Sequence, residues 1–391
     1  MTIALAVLAA LMIFVFLIGL LRLIEVYRDV PKVDFYDRSP MLKDAPLLSV
    51  IIPARNEEEN IGICLRAVLS QEYRNLEVIV INDNSTDRTA EIIQTFATDD
   101  RRLQMINGEP LPPGWSGRVY ACAQGADRAQ GSYYLILDAD TELSPGGLAR
   151  ALSYALEHDT DLVAAIPKTD LGNLWESLIQ PLMGHLFLIQ FKAKALNDPG
   201  DATAMAWGGF LLFRRQAYEQ IGGHLAMKGA VVDGPQLAVK IKQNRLRLAY
   251  VLGTNVVTAR MYSPFRTVWN GWTRCIFLGL NRSVGRGLAA MAALLVFMVL
   301  PWIIALAGLS NLLLRGGSPA SLGFFLLWSS VCLVSLSHRF VMRSLFDFTT
   351  RYAWLQPVSA LLVIGILANS IWRVLARREI SWRGRVYPTT G

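Results

Sequence analysis

Tyr134-Leu135-Ile136-Leu137-Asp138-Ala139-Asp140 decides how this chain is read. A short unbroken apolar run closed by polar residues is the pattern of a strand buried on both faces. The run ends in two carboxylates one residue apart, and Ser144-Pro145 then supplies an N-cap and first turn for a helix. The same alternation repeats upstream. Leu48 to Ile52 is followed by Pro53-Ala54-Arg55-Asn56-Glu57-Glu58, and residues 57–71 place Ile61, Cys64, Leu65, Val68 and Leu69 at helical spacing. Leu76 to Ile81 is followed by Asn82-Asp83-Asn84-Ser85-Thr86-Asp87, with a helix expected from about Asp87. A third run, Leu103 to Ile106, precedes a Pro/Gly-rich loop. Strands alternating with helices imply an α/β fold class with a mostly parallel sheet. Ligands bind such sheets beyond the C-terminal strand ends, where each polar cluster falls.

Asp138 and Asp140 can share a hard divalent cation, Mg2+ or Mn2+, which would neutralise a diphosphate leaving group. A turn merely rich in Asp is the alternative. The Pro53–Glu58 and Asn82–Asp87 clusters could hydrogen-bond a base and ribose. Equally, Asp87 suits a helix cap and Asn56-Glu57-Glu58 a solvated first turn. In Leu111-Pro112-Pro113-Gly114-Trp115-Ser116-Gly117-Arg118 the glycines permit close backbone approach and Arg118 could meet phosphate or base. A proline-stiffened surface turn accounts for the same residues.

Taken in order, these motifs resemble family 2 glycosyltransferases, whose catalytic domain has the GT-A fold. The likeness runs from Ser49 to about Asn281 and includes Gly208-Gly209-Phe210 leading to Phe213-Arg214-Arg215. It implies a nucleotide-sugar donor held by Pro53, Ala54, Arg55, Glu57 and Asp83, with Ala54, Glu57 and Asp83 on the nucleoside. It places Arg118 where many members have Lys, makes Asp138 and Asp140 the metal site with Asp140 the chief ligand, and sets Gly208 and Gly209 on the acceptor side of the donor pocket. The Leu111–Arg118 loop, Asn197-Asp198-Pro199 and Trp382-Arg383-Gly384-Arg385-Val386-Tyr387 are most similar to the branch associated with carotenoid and hopanoid pathways.

One departure matters. The family usually carries an acidic pair whose second member is the general base; here the place reads Asp233-Gly234-Pro235. Asp233 is the remaining candidate base, and a simple cap on the helix that follows is the alternative reading. The family's processive members carry an Arg-Trp pair, which this chain lacks, so a single sugar addition is expected. Trp269-Asn270-Gly271-Trp272-Thr273-Arg274 stands in its approximate place. Its tryptophans suit a sugar or, more blandly, a lipid interface, and Arg274 is a candidate contact for the donor diphosphate. His158, His185, His224 and His338 show no ligand spacing and are expected to be structural.

Composition points to a membrane. Of 391 residues 53% are hydrophobic and only 18% charged, below the quarter or so usual for soluble domains. The net charge of +7 is spread beside apolar runs rather than in one stripe, so no nucleic-acid partner is expected. Cys64, Cys122, Cys275 and Cys332 form no metal or disulfide pattern. Ile3 to Ile24 is long enough to cross a bilayer and reads as an uncleaved anchor. Arg22, Arg28 and Lys32 flank its C-terminal end, which puts the next domain in the cytoplasm.

Further apolar stretches run over Leu288 to Leu314, Ser321 to Ser337 and Ala353 to Leu375. Four simple crossings would leave the tail outside, yet Arg373, Arg377, Arg378, Arg383 and Arg385 favour the inside, so one C-terminal stretch is a candidate re-entrant or interfacial segment. The segment 338–352 is a second candidate for lying in the surface plane. The chain thus divides into an anchor (1–26), a juxtamembrane linker (27–46), a GT-A-like catalytic domain (47–285), a C-terminal membrane region (286–376) and a basic tail (377–391). The expectation is a bacterial inner-membrane enzyme that moves one sugar to a hydroxyl of an isoprenoid lipid acceptor, carotenoid or hopanoid, with inversion. A polyprenyl-phosphate sugar or short-polymer synthase is the alternative enzyme, and a non-catalytic nucleotide- or lipid-binding scaffold the alternative of another kind.

Overall fold

A computed structural model of the chain describes residues 2–33, 45–230, 232–260, 264–280, 282–314, 317–376, 380–382 and 385–387. Most of the expected linker, Val231, Asn281 and most of the basic tail lie outside these. Helix α1 (Thr2–Asp29) leads to the sheet, where Pro31 accepts a backbone bond from Leu252. The strands are β1 (Leu48–Ala54), β2 (Leu76–Asn82), β3 (Leu103–Asn107), β4 (Tyr133–Leu137), β5 (Thr141–Leu143), β6 (Leu162–Thr169), β7 (Phe210–Arg214) and β8 (Leu248–Ala259). They form one mixed sheet in the order β3-β2-β1-β4-β7-β6-β8-β5. The first four are mutually parallel, and β7 runs antiparallel to both β4 and β6.

Strand side chains alternate between faces, and the two faces bury separate cores. Val50, Ile52, Leu135 and Leu137 pack under α2 (Ile61–Leu69) and α5 (Gly147–Glu157). Ile51, Ile79, Tyr134 and Ile136 pack under α4 (Gly117–Arg128) and α9 (Gly234–Gln243). Helix α3 (Thr89–Asp99) flanks β3 and the expected start near Asp87 falls two residues early, because Asp87 accepts from the Thr89 N–H at 3.0 Å. Asp87 thus lies one residue before the Arg88 N-cap and bonds the first N–H of the helix, close to the cap role that was its blander reading.

Helices α6 (Leu174–Leu188), α7 (Ala193–Asn197) and α8 (Arg215–Gln220) complete the region. Asn197 clamps Tyr250 of β8 through both main-chain groups, at 2.6 and 3.0 Å, so that residue of the Asn-Asp-Pro motif acts in packing.

The rest is helical: α10 (Phe265–Gly279), α11 (Val284–Leu294), a π-helical turn (Leu295–Val299), α12 (Leu300–Leu314), α13 (Pro319–Phe346) and α14 (Gln356–Leu375). Four helical segments are long and apolar enough to cross a membrane: 3–29, 284–314, 319–346 and 353–375. Leu, Ile and Phe side chains stand exposed along them. The expectation that residues 338–352 lie apart in a surface plane is corrected: α13 runs unbroken through His338 and Arg339. Arg339 is tolerated there because it is buried and donates to the carbonyls of Ser177 and Leu178 and to Ser359 Oγ.

The end of α13 returns to the sheet domain. Phe346 and Phe348 pack with Val26 of α1, Val30 just after it and Leu252 of β8, and Lys168 pairs with Asp347 at 2.6 Å. Helix α14 then begins partway down α13, where Gln356 donates to Ser335 Oγ at 2.8 Å. That point lies about 16 Å from the domain end of α13. Its other end comes back to α10, where Ser370 Oγ donates to the Thr273 carbonyl at 2.5 Å. Helix α14 thus starts partway along α13 and ends back beside α10. Beyond it, β9 (Ile380–Trp382) and β10 (Arg385–Tyr387) form an antiparallel hairpin.

Candidate active site

Arg118 is the second residue of α4, and the helix start aims it at the end of β4. Its Nε donates to Asp138 Oδ1 at 2.8 Å, its Nη2 to the Gly208 carbonyl at 2.5 Å, and its Nη1 pairs with Asp233. One rigid fork thereby joins β4, the loop before β7 and the start of α9. The Asp138 N–H also donates to the Gly209 carbonyl at 3.1 Å, so Gly208 and Gly209 form the wall between the two carboxylates.

Asp233 stands at the N-cap position of α9, as the blander reading had it, but its side chain makes no cap bond and is directed elsewhere. Its carboxylate is buried against Arg118 and accepts from His224 Nε2 at 3.0 Å. The Tyr218 hydroxyl accepts the His224 N–H at 3.0 Å and lies 2.8 Å from Nδ1. With Asp233 ionised, Nε2 carries the ring proton and Tyr218 donates to Nδ1, which orders the whole chain. Burial acts to raise the Asp233 carboxyl, but the Arg118 charge and the His224 bond outweigh it and hold the group well below the usual carboxylate range.

Gly234 has a steric reason. A Cβ there would stand 2.8 Å from the Ala206 carbonyl and 2.9 Å from the Gly208 N, so no side chain fits the position where the family resemblance leads one to expect an acid. Asp233 itself has ordinary helical backbone angles. Gly234 therefore serves the close approach of α9 to the Ala206–Gly208 backbone.

At the other end, β1 and β2 finish side by side, with Pro53 opposite Ile81 and Ala54 opposite Asn82. Asn56 and Asn84 adopt left-handed backbone angles, φ 52° and 55°, which turn both loops sharply. The loops are laced together: Asn56 Oδ1 accepts the Thr86 N–H at 2.8 Å and Thr89 Oγ1 accepts the Glu57 N–H at 2.7 Å. The Glu57 carboxylate accepts from Asn60 at 2.9 Å. Arg55 donates to the carbonyls of Asp83 and Asn84 at 2.6 and 2.9 Å. Asp83 is buried and both its oxygens are taken by Arg385, one of them at 2.7 Å.

Asp138 and Asp140 are both half-buried at the end of β4. Among the described residues no group of three His, Cys, Asp or Glu side chains could hold a metal by itself. Two carboxylates still fit a hard cation that takes its remaining oxygens from water and a bound diphosphate, the usual arrangement for Mg2+.

Arg274 lies half-buried on α10, which packs against α14, α6 and β9. Trp272 donates to Gln180 at 3.2 Å and stacks on Phe187, and Trp269 packs in the same apolar cluster between helices. Two site residues escaped sequence reasoning. His224, expected to be structural, has no motif around it, and Arg385 was read as part of a branch-like motif and as a topology-setting charge.

Residues 49–222 match the family model described as Glycosyl transferase family 2. The 4,4'-diaponeurosporenoate glycosyltransferase of Staphylococcus haemolyticus (strain JCSC1435) is 24% identical over 343 residues, covering 87% of this chain and 88% of the relative. Its namesake from Staphylococcus aureus (strain MRSA252) is 27% identical over 62% of this chain; there the chain spans 64% of the relative, just under two thirds. Among solved structures, the mannosyltransferase PcManGT from Pyrobaculum calidifontis, in complex with GDP-Man and Mn2+, superposes with a TM-score of 0.53 at 16% identity. That likeness covers 94% of this chain and 99% of the other and is one of fold. Sheet order, strand-end carboxylates and family match converge: the chain carries a glycosyl transferase family 2 domain on a GT-A-like fold and is a glycosyltransferase.

Proposed function

We propose that the chain moves one sugar from a nucleotide-sugar donor to a lipophilic carotenoid-type acceptor at the cytoplasmic face of a bacterial membrane. The observation that carries this is the convergence of Asp83, Asp138 and Asp233 around the start of α4, through Gly117 and Arg118. The nucleoside would lie at Asp83, Ala54 and Glu57, and the diphosphate between there and Asp138. Asp138 and Asp140 would hold the Mg2+ or Mn2+, which supplies charge neutralisation of the departing nucleoside diphosphate. Arg118 adds a fixed positive charge on the same path. The Staphylococcus relatives named for diaponeurosporenoate support a carotenoid acceptor.

For a hydroxyl acceptor, Asp233 is the candidate base, and it becomes available only if the incoming diphosphate draws Arg118 away. A second reading is favoured by the state of Asp233. A carboxylate held far below its ordinary pKa by Arg118 and His224 is a weak base. An acceptor that is itself a carboxylate needs no base, because it arrives ionised. Asp233 would then fix Arg118 and bound the acceptor pocket. Attack opposite the leaving diphosphate inverts the anomeric carbon in either case.

The course of α14 supports three crossings (α1, α11–α12 and α13) plus one re-entrant helix, with the tail on the domain side. The test is turnover by the purified chain in lipid vesicles, given a panel of nucleotide sugars with matched isoprenoid alcohol and acid acceptors. Product with metal and a lipid acceptor present supports the reading. Transfer by Asp140→Ala at the parent rate would remove the metal site, and equal rates for Asp233→Asn with the acid acceptor would favour the carboxylate over the alcohol.

A further inference from the structure

Asp83 and Arg385 are 302 residues apart in sequence and meet through two parallel N–H···O bonds. Their side chains are 5% and 14% exposed, so water scarcely reaches the pair. It rests on Gly117: a Cβ there would overlap the Arg385 guanidinium and stand 2.7 Å from Asp83 Oδ2. Arg385 therefore stands one residue from Arg118, at the place where the proposed nucleoside and diphosphate halves of the donor site join.

We propose that the C-terminal hairpin is a working part of the donor site, and that Arg385 is a positioning residue that holds the Asp83 carboxyl aimed for the donor's nucleoside. The inference rests on the donor-site reading above. A guanidinium carries five N–H groups in a fixed fork. Two are spent on Asp83, which leaves others for an adjacent phosphate. Each carboxylate oxygen retains a lone pair after the fork has bound, so Asp83 can still accept a nucleobase N–H.

Burial pushes the Asp83 carboxyl up from its ordinary value, while Arg385 and then Arg55 pull the other way. The groups facing it are Arg385 from the hairpin, Arg55 and Asn84 from the two strand-end loops, and the buried Cys122 thiol of α4. Without Arg385 the desolvation is opposed mainly by Arg55, and Asp83 takes up a proton at a higher pH. A protonated Asp83 is a poorer acceptor for a base N–H.

The experiment is binding of UDP and of GDP, each with Mg2+, to the full-length chain in detergent or nanodiscs, across about pH 5 to 8. Arg385→Ala should weaken whichever nucleotide the parent binds by about tenfold to a hundredfold. The loss should be largest at low pH and shrink as pH rises, with Arg385→Lys intermediate. A hairpin with a purely structural role would lower the melting temperature of Arg385→Ala without adding a pH slope to binding, and that result overturns the proposal. So does tighter binding by Arg385→Ala, which would make the hairpin a plug over an otherwise open site. If the parent binds neither nucleotide at any pH, the donor-site reading itself fails. If the Ala variant does not fold, the Lys variant alone decides, by the presence or absence of the same slope.

Discussion

Replacing Arg118 by Ala would strip one counter-charge from two carboxylates at once. Asp233 is buried, so the variant should lose roughly 3 kcal/mol of stability, read by chemical unfolding in detergent. Lys at the same position should recover only part of this, since an ammonium cannot reach Asp138, Asp233 and the Gly208 carbonyl with one planar fork. Asp233 also sets a pH dependence. Its folded-state pKa is depressed, so its contribution is complete above the unfolded value of about 4 and is lost as pH falls through the folded value. The stability gap between the parent and Asp233→Asn should therefore be constant near neutrality and close below about pH 4. At Gly234 the expected outcome runs against intuition. Installing an Asp there to restore the family's second acid should cost about 1–3 kcal/mol through overlap with the Ala206 carbonyl, and should give no base. Unfolding of Gly234→Ala and Gly234→Asp measures this directly.

At the scale of elements, what could be read from sequence was whatever is local. β1, β2 and β4 declare themselves as apolar runs with polar ends, and the clusters that follow them are where the site stands. Asp83 and Asp138 were singled out for that reason, whereas Arg118 came from its glycine-bearing loop and the family resemblance. What was not legible depends on pairing over long range. The insertion of β7 between β4 and β6, antiparallel to both, is a tertiary fact that no periodicity encodes. His224 lies in a short turn of 3-10 helix, and its meaning comes only from Asp233 nine residues later and Tyr218 six before. The end of the third apolar stretch was set too early because a His-Arg pair normally marks an interface; here Arg339 finds two carbonyls on α6 and a serine on α14. Arg339→Ala should destabilise the helical region while leaving nucleotide binding at the parent level, which melting and UDP or GDP titrations of the same sample would report.

For the whole molecule, the arrangement of α13 and α14 bears on which side each end occupies. Asp347 pairs with Lys168 of β6, and Arg385 pairs with Asp83, so both ends of the stretch between them touch the sheet domain. Two residues in contact share one side of any bilayer. A tag fused after Gly391 should therefore be reached by protease or thiol reagent in inside-out vesicles and protected in intact cells, together with the catalytic domain. Protection in the opposite sense would require α14 to cross fully. Arg385 stands only ten positions after Leu375 at the close of α14, a length of chain that spans at most about 36 Å. With α14 seated in lipid, that short leash limits how far the sugar-nucleotide end can lift from the headgroups, so a long apolar acceptor would have to raise only its tip to react.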